Sequence, residues 1–212
     1  TALSGVEHTF PDLSSVGYNR VLSSLDTNYT ETDGQPDEAD GAVAFLNENH
    51  DKPFFLSVGL NETHRPFPKP DPDNPDEDER YALAPSPLPD TPETRADAAD
   101  FKAAARVMDE KFGRVLDALS KNGMVENTLV FCFADHGLQF PRNMCNLTDH
   151  GSRVYLVVRG PGGFTEGKVV DALVSLIDLA PTAYEIAGVD CPEFVQGTSL
   201  KPLMDGDVAV RE

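Results

Sequence analysis

An α/β fold is predicted from three observations. Short, continuously apolar runs at 54–58, 128–134 and 154–158 are separated by segments of helical periodicity, the alternation that builds a sheet covered by helices. Each run stops at Gly, Asn, Asp or Pro punctuation, as strands do. At 212 residues and 40% hydrophobic content, the chain is long enough to bury a sizeable core. Apolar character without alternation reads as strands buried on both faces, the kind found in parallel sheets.

Taken in order, positions 1–4 read as the tail of a strand, followed by a loop through Gly17. Asp33-Gly34-Gln35-Pro36 marks a turn, and Ala39, Val43, Ala44 and Leu46 fit a helix ending near Asn49. Pro53 opens the strand at 54–58. The span 60–92 is too rich in proline for regular structure, because Pro lacks the N–H that helices and ladders need. It also holds Asp71, Asp73, Asp76, Glu77, Asp78 and Glu79, a run expected to be solvated. Thr91 as N-cap, Pro92 at the first helical position and Thr94 three residues on begin a helix. Its apolar face is Phe101, Ala104, Ala105, Met108, Phe112, Val115, Leu116 and Leu119, and Gly123 ends it. The run 154–158 is closed by Gly160-Pro161-Gly162-Gly163, and a helix around 178–187 is terminated by Gly188. The chain has no internal repeat.

A net charge of −19 argues against nucleic acid and against an anionic membrane surface as partners. An anionic substrate would need a local cation to draw it in. Acidity of this extent also suits a high-salt environment. Cys132, Cys145 and Cys191 show no C-x-x-C spacing, so neither a disulfide framework nor a zinc knuckle is expected; Cys132 reads as a small core residue. No apolar run reaches the length of a membrane span, no signal peptide is visible, and both ends read as cut.

The segment TLVFCFADHG, 128–137, places an acidic residue and an imidazole just past a strand, where ligands collect in open α/β sheets. Asp135 and His136 look like half of a metal site, with Gly137 allowing close backbone approach; the alternative is a solvated turn. His64 likewise follows the strand at 54–58, and His8 follows the opening strand and Gly5. His50, beside Asp51, reads as a solvated helix cap, and His150 could face either way. Arg65 could contact a substrate anion or, on the favoured reading, pair with the acidic loop. Asn28, Asn61 and Asn146 stand in glycosylation sequons, a motif frequent by chance.

The stretch TPETRADAADFKAAARVMDEKFGRVLDALSKNGMVENTLVFCFADHG resembles the sulfatase family of the alkaline phosphatase superfamily, nearest its heparan N-sulfatase (sulfamidase)-like branch. PFFLSVGLNETHRPF is similar to that family's strand and histidine segment. DHGLQFPRNMCNLTDHGSRVYLVVRGPG resembles its metal loop and following strand. VVDALVSLIDLAPTAYEIAGVDCPEFVQGTSLKPLMDG and the opening TALSGVEHTFPDLSSVGYNRVL extend the resemblance over nearly the whole chain. It implies an alkaline phosphatase-like fold, a largely parallel or mixed central sheet flanked by helices. It also implies that 1–212 is a partial catalytic domain, incomplete at both ends, with a C-terminal subdomain beginning near 190–212.

The resemblance puts Asp135 and His136 on two ligands of a divalent cation, usually Ca2+, with Mg2+, Mn2+ or Zn2+ also admissible. It puts His64 on a histidine that contacts sulfate and protonates the leaving group. His8 falls on one that hydrogen-bonds the nucleophile and helps release sulfate. The implied activity is hydrolysis of a sulfate ester or sulfamate, with a sulfated carbohydrate as partner and export as the implied location. The family's formylglycine motif C/S-x-P-x-R is not in this sequence, nor are its paired N-terminal acidic ligands. Both are expected upstream, which would leave this chain alone inactive. Two cations of the family pattern are replaced, by Val6 and Met144; losing such a group costs on the order of hundreds-fold in rate. Arg142 lies nearby and could substitute, but the favoured reading is that it does not. A phosphodiesterase or phosphonate hydrolase, a degenerate homologue that binds sulfated glycans without turnover, and a metal-free structural fragment remain as alternatives.

Overall fold

The computed structural model describes residues 1–8, 12–23, 36–165 and 167–205. The fold is α/β, with two parallel strand pairings and one antiparallel among the described residues, and the chain divides into two compact units. Thr1–Asn122 with Leu138–Asn146 forms one, Gly123–Gly137 with Leu147–Glu212 the other.

In the first unit, β1 (Ala2–Gly5), β2 (Arg20–Ser23) and β3 (Leu56–Gly59) form a parallel sheet of order β2-β1-β3. The central β1 is fully buried, as expected of a strand covered on both faces. Gly5 pairs with Gly59, so β1 and β3 end side by side. Both positions require glycine: a Cβ on Gly59 would lie 2.0 Å from the Val6 carbonyl oxygen. One on Gly5, where φ is +97°, would lie 2.5 Å from Glu38 Cγ. β2 has no counterpart in the sequence reading, because Arg20-Val21-Leu22-Ser23 is too short and polar to stand out.

Helix α1 (Glu38–Leu46) starts at a capping box of Asp37 and Asp40, and α2 (Pro92–Lys121) at one of Thr91 and Thr94, the latter as predicted. The two helices pack together. Arg114 of α2 reaches both Asp37 and Asp40, joining the second helix to the cap of the first. Between β3 and α2 the chain makes only one 3-10 turn, Pro75–Glu77. The acidic run there is not wholly solvated. Glu77 is 2% exposed and accepts from Asp71 N, Asn74 Nδ2 and Arg106 Nε at 2.8, 2.9 and 2.5 Å. Phe67, Phe101 and Phe140 stack edge-on or tilted, tying this segment to α2 and to the loop 138–146. The turn expected at 33–36 falls almost entirely outside the described residues, as does Asn28.

In the second unit, β4 (Val130–Phe133) pairs antiparallel with β5 (Leu156–Arg159). This corrects the expectation of a doubly buried parallel strand: Phe133 is 40% exposed and β5 alternates between half-buried and exposed residues. Leu156 and Val158 of β5, with Leu129 just before β4, pack on Phe164, Leu200 and Leu203. Alternation with one covered face is the antiparallel signature, and an apolar run alone does not fix how many faces are covered. Gly160 bridges Phe164 across the predicted Gly-Pro-Gly-Gly turn. The short α3 (Asp149–Ser152) and α5 (Lys201–Asp205) were not legible in the sequence. α4 (Leu179–Ala187) ends at Gly188 in the left-handed region, φ 66°, as predicted. No described helix is long and apolar enough to cross a membrane.

Candidate active site

The adjacent ends of β1 and β3 each lead to one of the singled-out histidines. His8 is exposed, three residues past Gly5. His64 is half-buried, held in a turn by its own N–H to the Asn61 carbonyl at 2.7 Å. Its ring Nδ1 lies 2.6 Å from the Arg65 carbonyl oxygen. A carbonyl only accepts, so Nδ1 carries the proton and Nε2 is the basic nitrogen of the neutral ring. With Nδ1–H fixed there, Nε2 is the nitrogen that takes up a proton and, from the imidazolium, gives it away.

Arg65 does not pair with the acidic run at 71–79. Its guanidinium binds Asp97 of α2 through two hydrogen bonds, 2.7 and 2.6 Å, and lies over the rings of Phe67 and Phe140. Its backbone N–H donates to Gln139 Oε1 at 2.6 Å. The expected pairing of Arg65 with the acidic loop is thus corrected: its carboxylate partner is Asp97 of α2.

Beneath the β1 and β3 ends lies a feature that sequence patterns missed. Lys111, on the inner face of α2, is 3% exposed and Glu38, at the start of α1, is 1% exposed. Lys111 Nζ donates to Glu38 Oε2 at 2.9 Å and to Glu62 Oε1 at 2.7 Å. Burial raises the Glu62 pKa, against the opposing pull of the ammonium. Lys111 interrupts the apolar stripe between Met108 and Val115, the one signal that could have marked it.

Asp135 and His136 follow β4 in the second unit and are exposed. Asp135 Oδ1 accepts the His136 N–H at 2.9 Å. His136 Nδ1 donates to the Gly137 carbonyl at 2.9 Å, leaving Nε2 as the lone-pair nitrogen, 3.7 Å from Asp135 Oδ2. A ligating imidazole is normally oriented in this way by its second nitrogen. The donor chemistry therefore fits two positions around a divalent cation, out of the six to eight that calcium takes. Among the described residues no three His, Cys, Asp or Glu side chains gather as a metal-binding group. Gly137 serves close approach as expected: a Cβ there would lie 1.9 Å from the His150 carbonyl oxygen.

His50 corrects another expectation. It is half-buried rather than solvated, between the rings of Phe45 and Phe54, and donates from Nε2 to the Phe45 carbonyl at 2.8 Å. The imidazole does cap α1, but from within an aromatic cluster. His150 is exposed in α3, and Cys132 is half-buried in β4. Of the two replaced cations, Val6 is held by its N–H to the Gly59 carbonyl and Met144 by its N–H to the Leu138 carbonyl. Arg142 is exposed with φ 66°.

Histidines thus follow β1 and β3, and a carboxylate–imidazole pair follows β4, in an α/β chain. A family profile described as Sulfatase matches residues 7–189, and the chain belongs to the sulfatase family. Human N-sulphoglucosamine sulphohydrolase is 28% identical over 247 aligned residues, covering 98% of this chain and 47% of that protein. An N-acetylglucosamine-6-O-sulfatase of Bacteroides thetaiotaomicron is 31% identical over 119 residues, 51% of this chain and 20% of that protein. A solved structure from work on glycosaminoglycan metabolism by Bacteroides thetaiotaomicron has the same fold. It matches with a TM-score of 0.64 at 24% identity, over 82% of this chain and 40% of that one. The chain spans less than half the length of these relatives.

Proposed function

We propose that the chain is part of a sulfatase that hydrolyses a sulfate ester or sulfamate on a carbohydrate, with a formylglycine nucleophile supplied from outside residues 1–212. The observation that carries this is the paired ending of β1 and β3 at Gly5 and Gly59, each followed by a histidine. The sugar-directed names of the relatives support a carbohydrate substrate. The breadth of the match to N-sulphoglucosamine sulphohydrolase supports a place near the heparan N-sulfatase-like branch. Export, as the family resemblance implies, belongs to the same proposal.

In this reading His64, protonated on both nitrogens, donates the Nε2 proton to the leaving oxygen or nitrogen as the bond to sulfur breaks, and is left as the neutral ring with its Nδ1–H on the Arg65 carbonyl. An imidazole does this near neutral pH without large tuning. His8 assists the later release of sulfate. Asp135 Oδ2 and His136 Nε2 would hold a divalent cation, Ca2+ by family habit, which when bound supplies charge stabilisation to sulfate oxygens. The test uses the full-length protein with sulfated glucosamine substrates. His64→Ala is expected to lower kcat by about 10²–10⁴-fold and to remove the limb of the pH profile that reports the acid. Wild-type turnover in His64→Ala, or cleavage of phosphate diesters in preference to sulfate esters, overturns the proposal.

Val6 and Met144 favour a second reading, binding of sulfated glycans without turnover. Lys111, buried in this unit, is already engaged with Glu38 and Glu62. Calorimetric titration of the full-length protein with a sulfated sugar separates the two: saturable binding with no sulfate released favours the second.

A further inference from the structure

Lys111, Glu38 and Glu62 place two carboxylates on one ammonium in a nearly dry interior. The side chains of Lys111, Glu38 and Glu62 are 4%, 1% and 10% exposed. Glu38 Oε1 also accepts the Asn61 N–H at 3.2 Å, so the cluster grips both the backbone and the side chain of the segment leaving β3. The arrangement carries a cost. Glu62 Oε2 and Asn61 Oδ1 are buried without a hydrogen-bond partner, and a buried ion cluster is often no better than apolar packing of the same volume. What a buried ionic cluster can supply is a unique geometry. Here the geometry concerns one stretch: Asn61 and Glu62 are held from one side, Arg65 from the other by Asp97, Gln139, Phe67 and Phe140. His64 is the ring between the two grips.

We propose that Lys111 and Glu62 are positioning residues for His64, their buried ion pair fixing the turn that aims the imidazole. The proposal deepens the functional reading above and rests on His64 being the proton donor. Neither residue touches substrate in this account; both act through the 61–64 turn. Glu62→Ala leaves the Glu38–Lys111 pair matched, one charge against one, and so removes the grip without stranding a buried ammonium. Glu62→Asp keeps the charge but falls a methylene short of Lys111. Glu62→Gln keeps the shape and an acceptor for the ammonium.

In the full-length protein, Glu62→Ala and Glu62→Asp are each expected to lower kcat about tenfold or more, since small misplacements of a reacting group are costly. KM is expected to stay within about twofold, and Glu62→Gln to recover part of the loss. The His64 ring resonance, assigned by its disappearance in His64→Gln, is expected to move in the Ala and Asp variants and to return toward wild type in the Gln variant. A lowered melting temperature with kcat and the His64 resonance unchanged would make the cluster structural only and overturn the proposal. The resonance is read independently of turnover. A full-length protein that cleaves no sulfate ester sinks the functional reading, while a His64 signal indifferent to Glu62 sinks the positioning role.

Discussion

The guanidinium of Arg65 lies flat against the carboxylate of Asp97, two parallel hydrogen bonds of 2.7 and 2.6 Å across thirty-two residues of sequence. With Phe67 and Phe140 stacked on the same cation, Arg65 is a fastener rather than a waiting anion receptor. A double-mutant cycle with Asp97→Ala and Arg65→Ala is expected to give a coupling of about 0.5–1 kcal/mol, as for half-exposed pairs. Arg65→Lys is expected to recover little of it, because an ammonium cannot reproduce the planar fork. Urea midpoints of the four proteins measure both.

Glycines in this chain are predicted to respond with opposite signs. Gly59→Ala drives a methyl to within 2.0 Å of the Val6 carbonyl, where backbone must move, and is expected to cost about 2 kcal/mol or more. Gly113 lies in α2 with open space around it, so Gly113→Ala is expected to stabilise by about 0.5–1 kcal/mol. Thermal or denaturant melting of the pair gives the comparison.

Legibility followed local signal. Thr91-Pro92 and Gly188 announced helix ends through capping chemistry confined to a few residues, and both ends stand where expected. Gly137 was readable as a close-approach glycine. The pairing sense of β4 was not, because Leu129–Phe133 carries the same apolar letters whether one face or two are covered. The buried charges were least legible. Lys111 and Glu77 look like solvated residues in sequence, and only the tertiary arrangement brings Glu38 and Glu62 to one and Arg106 to the other. For His8, His64, Asp135 and His136, the strand-end placement is legible in the sequence, while the second-nitrogen contacts of His64 and His136 arise only in the folded chain.

Glu77 ties acid stability to the proline-rich segment. Burial pushes its pKa up, but the Asp71 N–H and Arg106 outweigh it, and the net value lies below the ordinary carboxylate range. A carboxyl group depressed on folding stabilises above its unfolded pKa and loses that contribution as pH falls through the folded value. Glu77→Gln is expected to cost about 1–2 kcal/mol at neutral pH and progressively less toward acid. Denaturant midpoints of both proteins across pH 2–7 (about the carboxylate range) test the convergence.

Tyr155 contributes to the alkaline side of the stability profile. Burial first, and the neighbouring Cys132 second, raise its pKa to about 12. Below the ordinary tyrosine value the folded and unfolded forms are both protonated. Above it the unfolded form ionises first, so stability falls as pH rises through about 12. A difference absorbance titration of wild type against Tyr155→Phe is expected to show one phenol ionising near that value; a difference curve centred near the ordinary tyrosine range contradicts it.

The carboxylate–imidazole pair after β4 makes a prediction free of turnover. In the full-length protein, calcium is expected to raise the melting temperature, and EDTA to reverse the rise. Asp135→Ala is expected to abolish most of the shift, and His136→Ala to weaken it by about 10–100-fold in calcium affinity. An identical calcium-dependent shift in wild type and Asp135→Ala removes Asp135 from the ligand set.

Helix α2 touches the His64 segment at two places, through Asp97 to Arg65 and through Lys111 to Glu62. Those two helical positions are fourteen residues apart, roughly 21 Å along the axis and close to a whole number of turns, so both side chains emerge within about 40° of one another. The helix therefore acts as a phased rod. Inserting one residue between positions 97 and 111 would turn one contact by about 100° from its present direction, past the other to its opposite side, and move it about 1.5 Å along the axis, so the chain can vary that stretch in composition more freely than in length.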